Sequence, residues 1–376
     1  MDVKLRTDFP GGSGKLAGVT PGDRPAVRFC AEPRHCPLAL WFHFRLDGIA
    51  GERVRVILAN PHQTLGGWDW SGNRPVYRTA GNSWRRAPLP RHIQTPGGLH
   101  EWAWDLPPVN GTVEFAHCYP YQQADLDVTR EELGDAFAAG SLGLTMEGRE
   151  IPWLRSTDAG ENPPVVLLTA RHHAGETPGS WVLDGALRHL AAHDDLRQAA
   201  TWMAVPFVDL DDVVTGSYGK DPAPHDCNRA YGGNYRPEGM AVMSLCWANA
   251  ESLAFLADLH APSHAERRTY VPVRGWSSDA PINPIARDFA EQFDANMPVR
   301  LRSPVAHVTP PQGSFSRWPG QTSTRWATES LGIDAVTLET SYQGNDDCDY
   351  TCEDYRRIGA ALAETIAAWV GDHPNR

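Results

Sequence analysis

The stretch Val165-Val-Leu-Leu-Thr169, followed after two residues by His172-His173-Ala174-Gly175-Glu176, decides the fold of the larger part of this chain. A continuous apolar run of this length is typical of a strand buried on both faces of a parallel sheet. Three more apolar strands follow it at Trp202 to Val208, Leu253 to His260 and Ala335 to Glu339. Helices are predicted between and after them, at about 179–193, 239–252, 283–295 and 352–370. Because strands and helices alternate, the sequence predicts an α/β domain over residues 126–376, with a mixed, largely parallel sheet covered by helices on both faces.

Residues 1–125 follow a different pattern. Large apolar side chains alternate with small or polar ones at Leu38 to Leu46, Arg53 to Leu58, Val76 to Arg78 and Leu99 to Trp104, which indicates short strands. Turn signals such as Asp47-Gly48 separate these runs, and no convincing helix interrupts them. The sequence therefore predicts a small antiparallel β-sandwich domain in front of the α/β domain.

Length and charge exclude several classes of function. The chain has 376 residues, which suits two domains, and its 41% apolar and 21% charged residues are typical of a soluble globular protein. The net charge of −12, without a basic run, argues against nucleic acid and against anionic membranes as partners. The sequence has neither an apolar stretch of the roughly 20 residues that span a bilayer nor an apolar signal core at its N-terminus, so we expect a cytoplasmic protein.

Three residues form a candidate metal site. His173 and Glu176 make an H-x-x-E pair at a predicted strand-to-helix turn, and His260 closes another apolar strand. The carboxyl ends of strands in an open α/β sheet meet at one edge, where ligand sites assemble. Catalytic zinc takes three nitrogen or oxygen ligands and keeps one position open. The sequence therefore predicts one zinc ion per chain, with His172 and His264 outside the ligand set.

Several further blocks give the chain a family resemblance. Arg171-His-His-Ala-Gly-Glu-Thr-Pro-Gly-Ser180 is similar to R-x-H-P-G-E-T-x-x-S, Asp226-Cys-Asn-Arg229 to D-x-N-R, Asp258-Leu-His260 to D-L-H, and Val336-Thr-Leu-Glu-Thr340 to T-L-E-A. Val205 to Val213, Leu40 to Arg45 and Phe115 to Tyr121 match other blocks in the same order. Over most of its length the chain resembles the cytosolic carboxypeptidase family of the zinc carboxypeptidase superfamily.

The resemblance implies a zinc metallocarboxypeptidase that hydrolyses the C-terminal peptide bond, or a side-chain-linked isopeptide bond, of peptide or protein tails. Zinc would polarise the scissile carbonyl and activate water, and Glu339 would take the proton of that water and pass it to the leaving amine. Asn228 and Arg229 would hold the terminal carboxylate of the substrate. Asp226 would accept the free ring N–H of His173 and fix its tautomer.

Two positions depart from the family pattern. Where the family has an arginine in a G-N-Y-R context that stabilises the oxyanion, this chain has Gly216-Ser-Tyr-Gly-Lys220. Lys220 is either a displaced substitute for that cation or a solvated loop lysine. The tyrosine that closes over substrate is also unassigned, with Tyr342 and Tyr270 as candidates.

The segment Gly320 to Trp326 is similar to the family's G-T-A-R stretch and bears on specificity. A buried Arg325 would favour an acidic C-terminal residue such as Glu through charge pairing. The alternative is that Arg325 forms a structural salt bridge.

Two other functions compete with a carboxypeptidase. One is a zinc amidohydrolase that deacylates N-acyl amino acids on the same scaffold, against which the N-terminal β-domain argues. The other is a binding module with a silent α/β domain, against which the complete set of His173, Glu176, His260 and Glu339 argues.

Overall fold

The computed structural model describes residues 3–22, 24–160, 162–233, 235–273, 283–303, 307–308 and 316–373. The first part of the chain contains β1 (Lys4–Arg6), β2 (Lys15–Thr20), β3 (Ala26–Cys30), β4 (His43–Leu58), β5 (Val76–Thr79), β6 (Arg85–Arg86), β7 (Arg91–Gln94) and β8 (His100–Ala116). The second part contains α1 (Gln123–Leu133), β9 (Phe137–Leu144), β10 (Glu150–Ser156), β11 (Val165–Ala170), α2 (Thr177–Ala192), α3 (Asp194–Gln198), β12 (Thr201–Val205), α4 (Leu210–Thr215), α5 (Pro237–Ala248), β13 (Leu253–His260), β14 (Val271–Pro272), α6 (Pro284–Asn296), β15 (His307–Val308), α7 (Ser323–Trp326), β16 (Asp334–Glu339) and α8 (Cys352–Asp372).

The first eight strands form one hydrogen-bonded sheet that folds over on itself. Its centre is the long antiparallel pair β4 and β8, whose register breaks three times. The rings of Trp104 and Phe115, both on β8, lie only 5.8 Å apart between centroids. A straight strand would separate residues eleven positions apart by roughly 35 Å. The strand must therefore bend back, which lets the two halves of the sheet bury a shared aromatic core.

This sheet differs from the predicted sandwich in two respects. The prediction of a purely antiparallel arrangement is wrong, because β3 runs parallel to β4 with Ala26 opposite Arg55. Residues of the first 125 positions also share one hydrophobic cluster with residues of the α/β region. A separate sandwich with its own core is therefore not confirmed, and the boundary between residues 125 and 126 stays a prediction.

The second sheet has the order β16-β13-β11-β12-β10-β9. Neighbouring strands from β16 to β12 are parallel, whereas β10 and β9 add an antiparallel edge. The prediction of a mixed, largely parallel sheet is thus confirmed, and each predicted strand and helix of this region is present within a few residues of its expected bounds. The sequence analysis missed the two antiparallel strands β9 and β10 and the short elements α1, α3, α4, α7, β14 and β15.

Helices cover both faces of this sheet, as predicted. Along β11, Val166 and Leu168 belong to the hydrophobic cluster that includes α2 and α8, whereas Val165 and Leu167 belong to the cluster that includes α5. This alternation is what a strand buried on both faces requires, because successive side chains point to opposite sides. Among the described helices, none combines the length and the apolar character that crossing a membrane would need.

The topology brings three strand ends together. Strands β11, β13 and β16 are parallel neighbours, so their carboxyl ends lie at the same edge. The last residues of β13 and β16, His260 and Glu339, are directly opposite in the register. The loop from β11 to α2, with His173 and Glu176, leaves the sheet at the same edge.

Candidate active site

His173, Glu176 and His260 form a compact buried cluster at this edge. One potential ligand atom from each lies within 4.8 Å of the other two. Nδ1 of His173 lies 2.9 Å from Oε1 of Glu176, and Nδ1 of His260 lies 2.7 Å from Oε2 of Glu176. The three residues are 4%, 0% and 2% exposed, respectively. The structure therefore brings the three predicted ligands together.

The loop that carries His173 and Glu176 is held by Arg171, which the sequence analysis did not single out. The Arg171 backbone has a positive φ of 62°, an uncommon conformation for a residue other than glycine. Its buried guanidinium donates to the carbonyl oxygens of Ala174 and Tyr121, the latter at 2.9 Å. Gly175 must be small, because a Cβ there would lie 2.6 Å from the ring of Tyr218. The positive φ and these contacts fix the turn between strand and helix.

Neighbouring polar groups orient the cluster. Nε2 of His260 lies 2.8 Å from a carboxylate oxygen of Asp258, and the backbone N–H of Ala261 donates to Oε2 of Glu176 at 3.1 Å. Such outer contacts set the tautomer and the direction of ligand groups. Asp226 approaches Nε2 of His173 only to 3.5 Å. Its predicted bond to His173 therefore stays a prediction.

The residues present fit a zinc ion. Two imidazoles and one carboxylate are the donor set that catalytic zinc takes. Burial alone would raise the pKa of Glu176, but the positive charges of His173, Lys220 and His260 outweigh it and hold that pKa well below the usual value. Zinc binding would require neutral imidazoles, so the cation would take over the positive charge that these histidines place beside the Glu176 carboxylate. Beside this cluster, Glu339 has a buried oxygen without a hydrogen-bond partner in the described part of the chain.

Glu339 projects from the end of β16, next to His260 on β13. Its Oε2 is buried and has no hydrogen-bond partner among the described residues. Burial, reinforced by the charge of Glu176, raises the pKa of Glu339. A buried carboxylate oxygen without a partner is costly, and this cost is expected where a ligand or substrate supplies the missing contact.

Lys220 lies within the site. Its Nζ is 3.4 Å from Oε1 of Glu176, and its side chain is only 26% exposed. Tyr218, in the same loop, also contacts this carboxylate, with its hydroxyl 3.4 Å from the same oxygen. Of the two alternatives from the sequence, these contacts disfavour the solvated loop lysine.

Asn228 and Arg229 occupy a 3-10 turn, Cys227–Arg229, beside the cluster. The amide nitrogen of Asn228 lies 3.0 Å from Nε2 of His260, and its oxygen accepts from the backbone N–H of Ser323 at 3.1 Å. Arg229 donates to the Asn228 carbonyl, and no carboxylate within the described ranges forms a salt bridge with it. Arg229 is therefore the better placed of the two to receive a carboxylate from outside.

Arg325 does not have the environment that the specificity prediction assumed. Its side chain is 64% exposed and pairs with Glu329, one helical turn later, at 2.8 Å. The expectation of a buried Arg325 is wrong, and the alternative salt bridge is what the structure shows. The cause is a long-range contact: Ser323 of α7 points inward to Asp258, with 2.6 Å between Oγ and Oδ2, which turns Arg325 away.

The two histidines excluded from the ligand set have full sets of contacts elsewhere. The ring nitrogens of His172 lie 2.7 Å from Asp258 and 2.6 Å from the hydroxyl of Tyr231. Those of His264 contact Asn73 and the carbonyl of Gly67, and its ring stacks on a tryptophan. Both are structural in this arrangement.

Comparison with solved structures defines the fold as that of metallocarboxypeptidases. The metallo-carboxypeptidase from Burkholderia cenocepacia superposes with a TM-score of 0.81 at 20% identity, covering 99% of this chain and 100% of that chain. The metallo-carboxypeptidase from Pseudomonas aeruginosa in complex with (2-guanidinoethylmercapto)succinic acid gives a TM-score of 0.80 at 22% identity, covering 98% and 99%. At this level of identity the likeness is one of fold.

Sequence comparison narrows the relationship to cytosolic carboxypeptidases. Residues 5–118 match the cytosolic carboxypeptidase N-terminal domain. The chain is 29% identical to cytosolic carboxypeptidase 6 of Caenorhabditis elegans over 216 residues, 51% of this chain and 46% of that protein. It is 32% identical to cytosolic carboxypeptidase 2 of Danio rerio over 147 residues, 35% of this chain and 20% of that protein. The matches thus span less than half the length of these relatives. Together with the match of the N-terminal domain, they confirm the resemblance to the family.

Proposed function

We propose that this chain is a zinc-dependent metallocarboxypeptidase that removes residues from the C-terminus of peptides or protein tails. The observation that supports this most directly is the buried group of His173, Glu176 and His260 beside an unpartnered oxygen of Glu339. The fold shared with metallo-carboxypeptidases agrees with it.

In this proposal one zinc ion is held by His173, Glu176 and His260. Zinc supplies Lewis acidity, which polarises a carbonyl and activates water. Asp258 keeps the His260 ring in the orientation that presents Nδ1 to the cluster. Arg171 and Gly175 keep the connecting turn closed around the two remaining ligands.

Glu339 acts as the general base. A base must reach the proton it removes, and its pKa is best placed nearer the working pH than that of a solvated carboxylate. The raised pKa of Glu339 and its unpartnered Oε2 beside the cluster support this role. After accepting the proton, the same carboxyl group donates it to the leaving amine.

Arg229 holds the terminal carboxylate of the substrate, and this contact restricts cleavage to chain ends. A guanidinium offers a fork of two parallel N–H donors that matches a carboxylate. Asn228 is proposed to contribute to the same subsite from the adjoining position. Lys220 supplies positive charge near the oxygen on which negative charge develops, because it lies on the Glu176 side of the cluster.

The test is to measure zinc content and peptidase activity for the wild type, Glu339→Gln and the control Glu329→Gln. Glu329 is about half exposed and outside the site, so its substitution leaves both properties unchanged. We expect each protein to bind about one zinc, and Glu339→Gln to lose roughly 100- to 10,000-fold in the rate of release of C-terminal residues. Failure of the wild type to bind zinc would refute the ligand assignment. Activity on N-acyl amino acids without activity on peptides would favour an amidohydrolase instead.

A preference for acidic C-terminal residues, if the enzyme has one, needs a source other than Arg325. Among the residues that the structure describes, Arg229 and Lys220 are the cations assigned to this site, and both already have roles in this proposal. Rates of release of Glu, Lys, Phe and Ala from otherwise identical peptides measure the preference directly. Equal rates for Glu and Ala would remove the acidic specificity from the proposal.

A further inference from the structure

A cavity lined by arginines lies on the first sheet, apart from the cluster of His173, Glu176 and His260. Its volume is about 490 Å³, within the range of small-ligand sites. The charged residues that line it are Arg24, Arg53, Arg74, Arg86, Arg91 and Asp105. Such a concentration of positive charge is unusual in a chain of net charge −12. The local balance of charges shows how much of it is compensated.

Two carboxylates face these five guanidinium groups. Asp105 lies 3.4 Å from both Arg24 and Arg91, and it also pairs with Arg55 from the neighbouring strand. Asp349, from the segment that follows Glu339, pairs with Arg74. The cavity therefore keeps an excess of positive charge over the described acidic groups.

Arg86 and Arg53 are the uncompensated cations. Arg86 donates only to neutral acceptors, among them the carbonyls of Tyr342 and Tyr350 at 2.8 and 3.0 Å. Its Nε is buried without a hydrogen-bond partner. Arg53 is exposed, and no described side chain forms an ion pair with it. Arg86 lines the cavity, and its Nε and the guanidinium of Arg53 leave donor capacity without an acceptor among the described residues.

We propose that this cavity binds a compact anion built from linked phosphate groups. Guanidinium groups bind phosphate oxygens through paired N–H donors. A terminal phosphate group carries close to two negative charges, whereas a bridging phosphate and a carboxylate each carry one. Linked phosphates therefore bring several charges into a small volume. An acidic peptide of comparable charge extends over roughly 13 Å, because each residue adds about 3.3 Å.

This site is independent of the proposed peptidase activity, because its residues belong to the first sheet and to the loops between its strands. Arg74 and Arg86 nevertheless contact the segment that follows β16. Arg74 N–H donates to the side chain of Gln343 at 2.8 Å, and Arg86 binds the carbonyl of Tyr342. A ligand in the cavity would therefore contact two residues that hold the chain just beyond Glu339.

The test is isothermal titration of the zinc-loaded, full-length protein with inorganic tripolyphosphate, at about 0.15 M salt to screen weak surface contacts. We compare the wild type with Arg53→Gln/Arg91→Gln, both exposed positions whose substitution leaves the fold intact. The control is Arg287→Gln/Arg357→Gln, which changes the net charge equally at two exposed salt bridges elsewhere. We expect the first pair to weaken binding on the order of a hundredfold, about tenfold for each guanidinium removed, and the control pair to leave it unchanged.

Other outcomes overturn the proposal. If the wild type does not bind, or if both double variants bind equally well, the cavity is not the site, and binding at the zinc centre explains the second case. A parallel titration with tetraglutamate distinguishes the ligand classes. Equal affinity for tetraglutamate would replace the phosphate ligand with an acidic peptide.

Discussion

His172 and His173 are neighbours in sequence, yet they belong to two different groups of potential metal ligands that share His260. The first group is His172, Asp258 and His260, and the second is His173, Glu176 and His260. In the first, Asp258 has partners for both of its oxygens, including His172, Thr169 and Ser323. In the second, Nε2 of His173 has no hydrogen-bond partner among the described residues, and Glu339 beside the group leaves an oxygen unpartnered. Proximity of donor atoms is therefore common to both groups, whereas unpartnered polar atoms favour the second as the candidate site.

The largest effect is expected when a predicted zinc ligand is removed from the second group. We expect His173→Ala to lose zinc and to lower the rate of release of C-terminal residues roughly a thousandfold or more, because several kcal/mol of Lewis-acid stabilisation disappear. Metal analysis and peptide hydrolysis measure both effects. The matched control, His92→Ala, changes an exposed histidine of β7 and leaves zinc bound. Retention of zinc by His173→Ala would show that the ion is held elsewhere.

A smaller effect is expected at Asp258, which belongs to the first group and contacts the shared His260. Asp258→Asn keeps the shape of the side chain but weakens its hold on Nε2 of His260. Changes to such outer partners lower metal affinity by about 10- to 100-fold. Competition with a chelator measures the change. Unaltered zinc affinity would mean that Asp258 serves the fold alone.

Substitution of His172, in the first group, should lower the stability of the fold and leave zinc binding unchanged. His172→Gln removes the contacts with Asp258 and Tyr231, so a buried polar group loses its partner. We expect a loss of about 1–3 kcal/mol in the free energy of unfolding, with zinc content unchanged. Denaturant unfolding and metal analysis give the two values. A variant that keeps its stability but loses zinc would reverse the assignment of the two groups.

The smallest effect is expected at Arg325. Because its partner Glu329 is on an exposed surface, Arg325→Gln should change the free energy of unfolding by less than about 1 kcal/mol. The ratio of the rates for Glu-ended and Ala-ended peptides should also stay constant. A fall in that ratio would show that Arg325 contributes to the preference for acidic C-terminal residues.

Much of the α/β fold could be predicted because its strands are buried on both faces and read as continuous apolar runs. The edge strand β9 escaped notice for the opposite reason. β9 is largely exposed and rich in small residues, so it has neither an apolar run nor a clear alternation. The helix α1 buries only Leu126, Thr129 and Leu133 and therefore shows a weak helical pattern.

In the first sheet, local signals were misleading because a turn and a bulge use the same residues. Asp47-Gly48 was expected to end a strand, yet β4 continues through it. The register with β8 shifts at this point, and Gly48 has a positive φ of 85°. Glycine at a positive φ permits either a reversal or a β-bulge. Only pairing with a strand some 60 positions later decides between them.

In the candidate site, residues at strand ends could be predicted, whereas side-chain directions could not. His260 and Glu339 follow from the parallel topology, which places strand ends at one edge. The direction of Arg325 depends on Ser323, which contacts Asp258 from another part of the chain. The approach of Lys220 to Glu176 likewise depends on packing around Tyr218.

The register between β13 and β16 bears on how this protein can vary. His260 and Glu339 are opposite each other because six consecutive residue pairs align the two strands. Inserting or deleting one residue within either strand would shift this alignment and turn the following side chains to the other face of the sheet. A single substitution, in contrast, leaves the alignment of the two strands unchanged. We therefore expect length changes among relatives to accumulate in the loops and to be absent from these two strands.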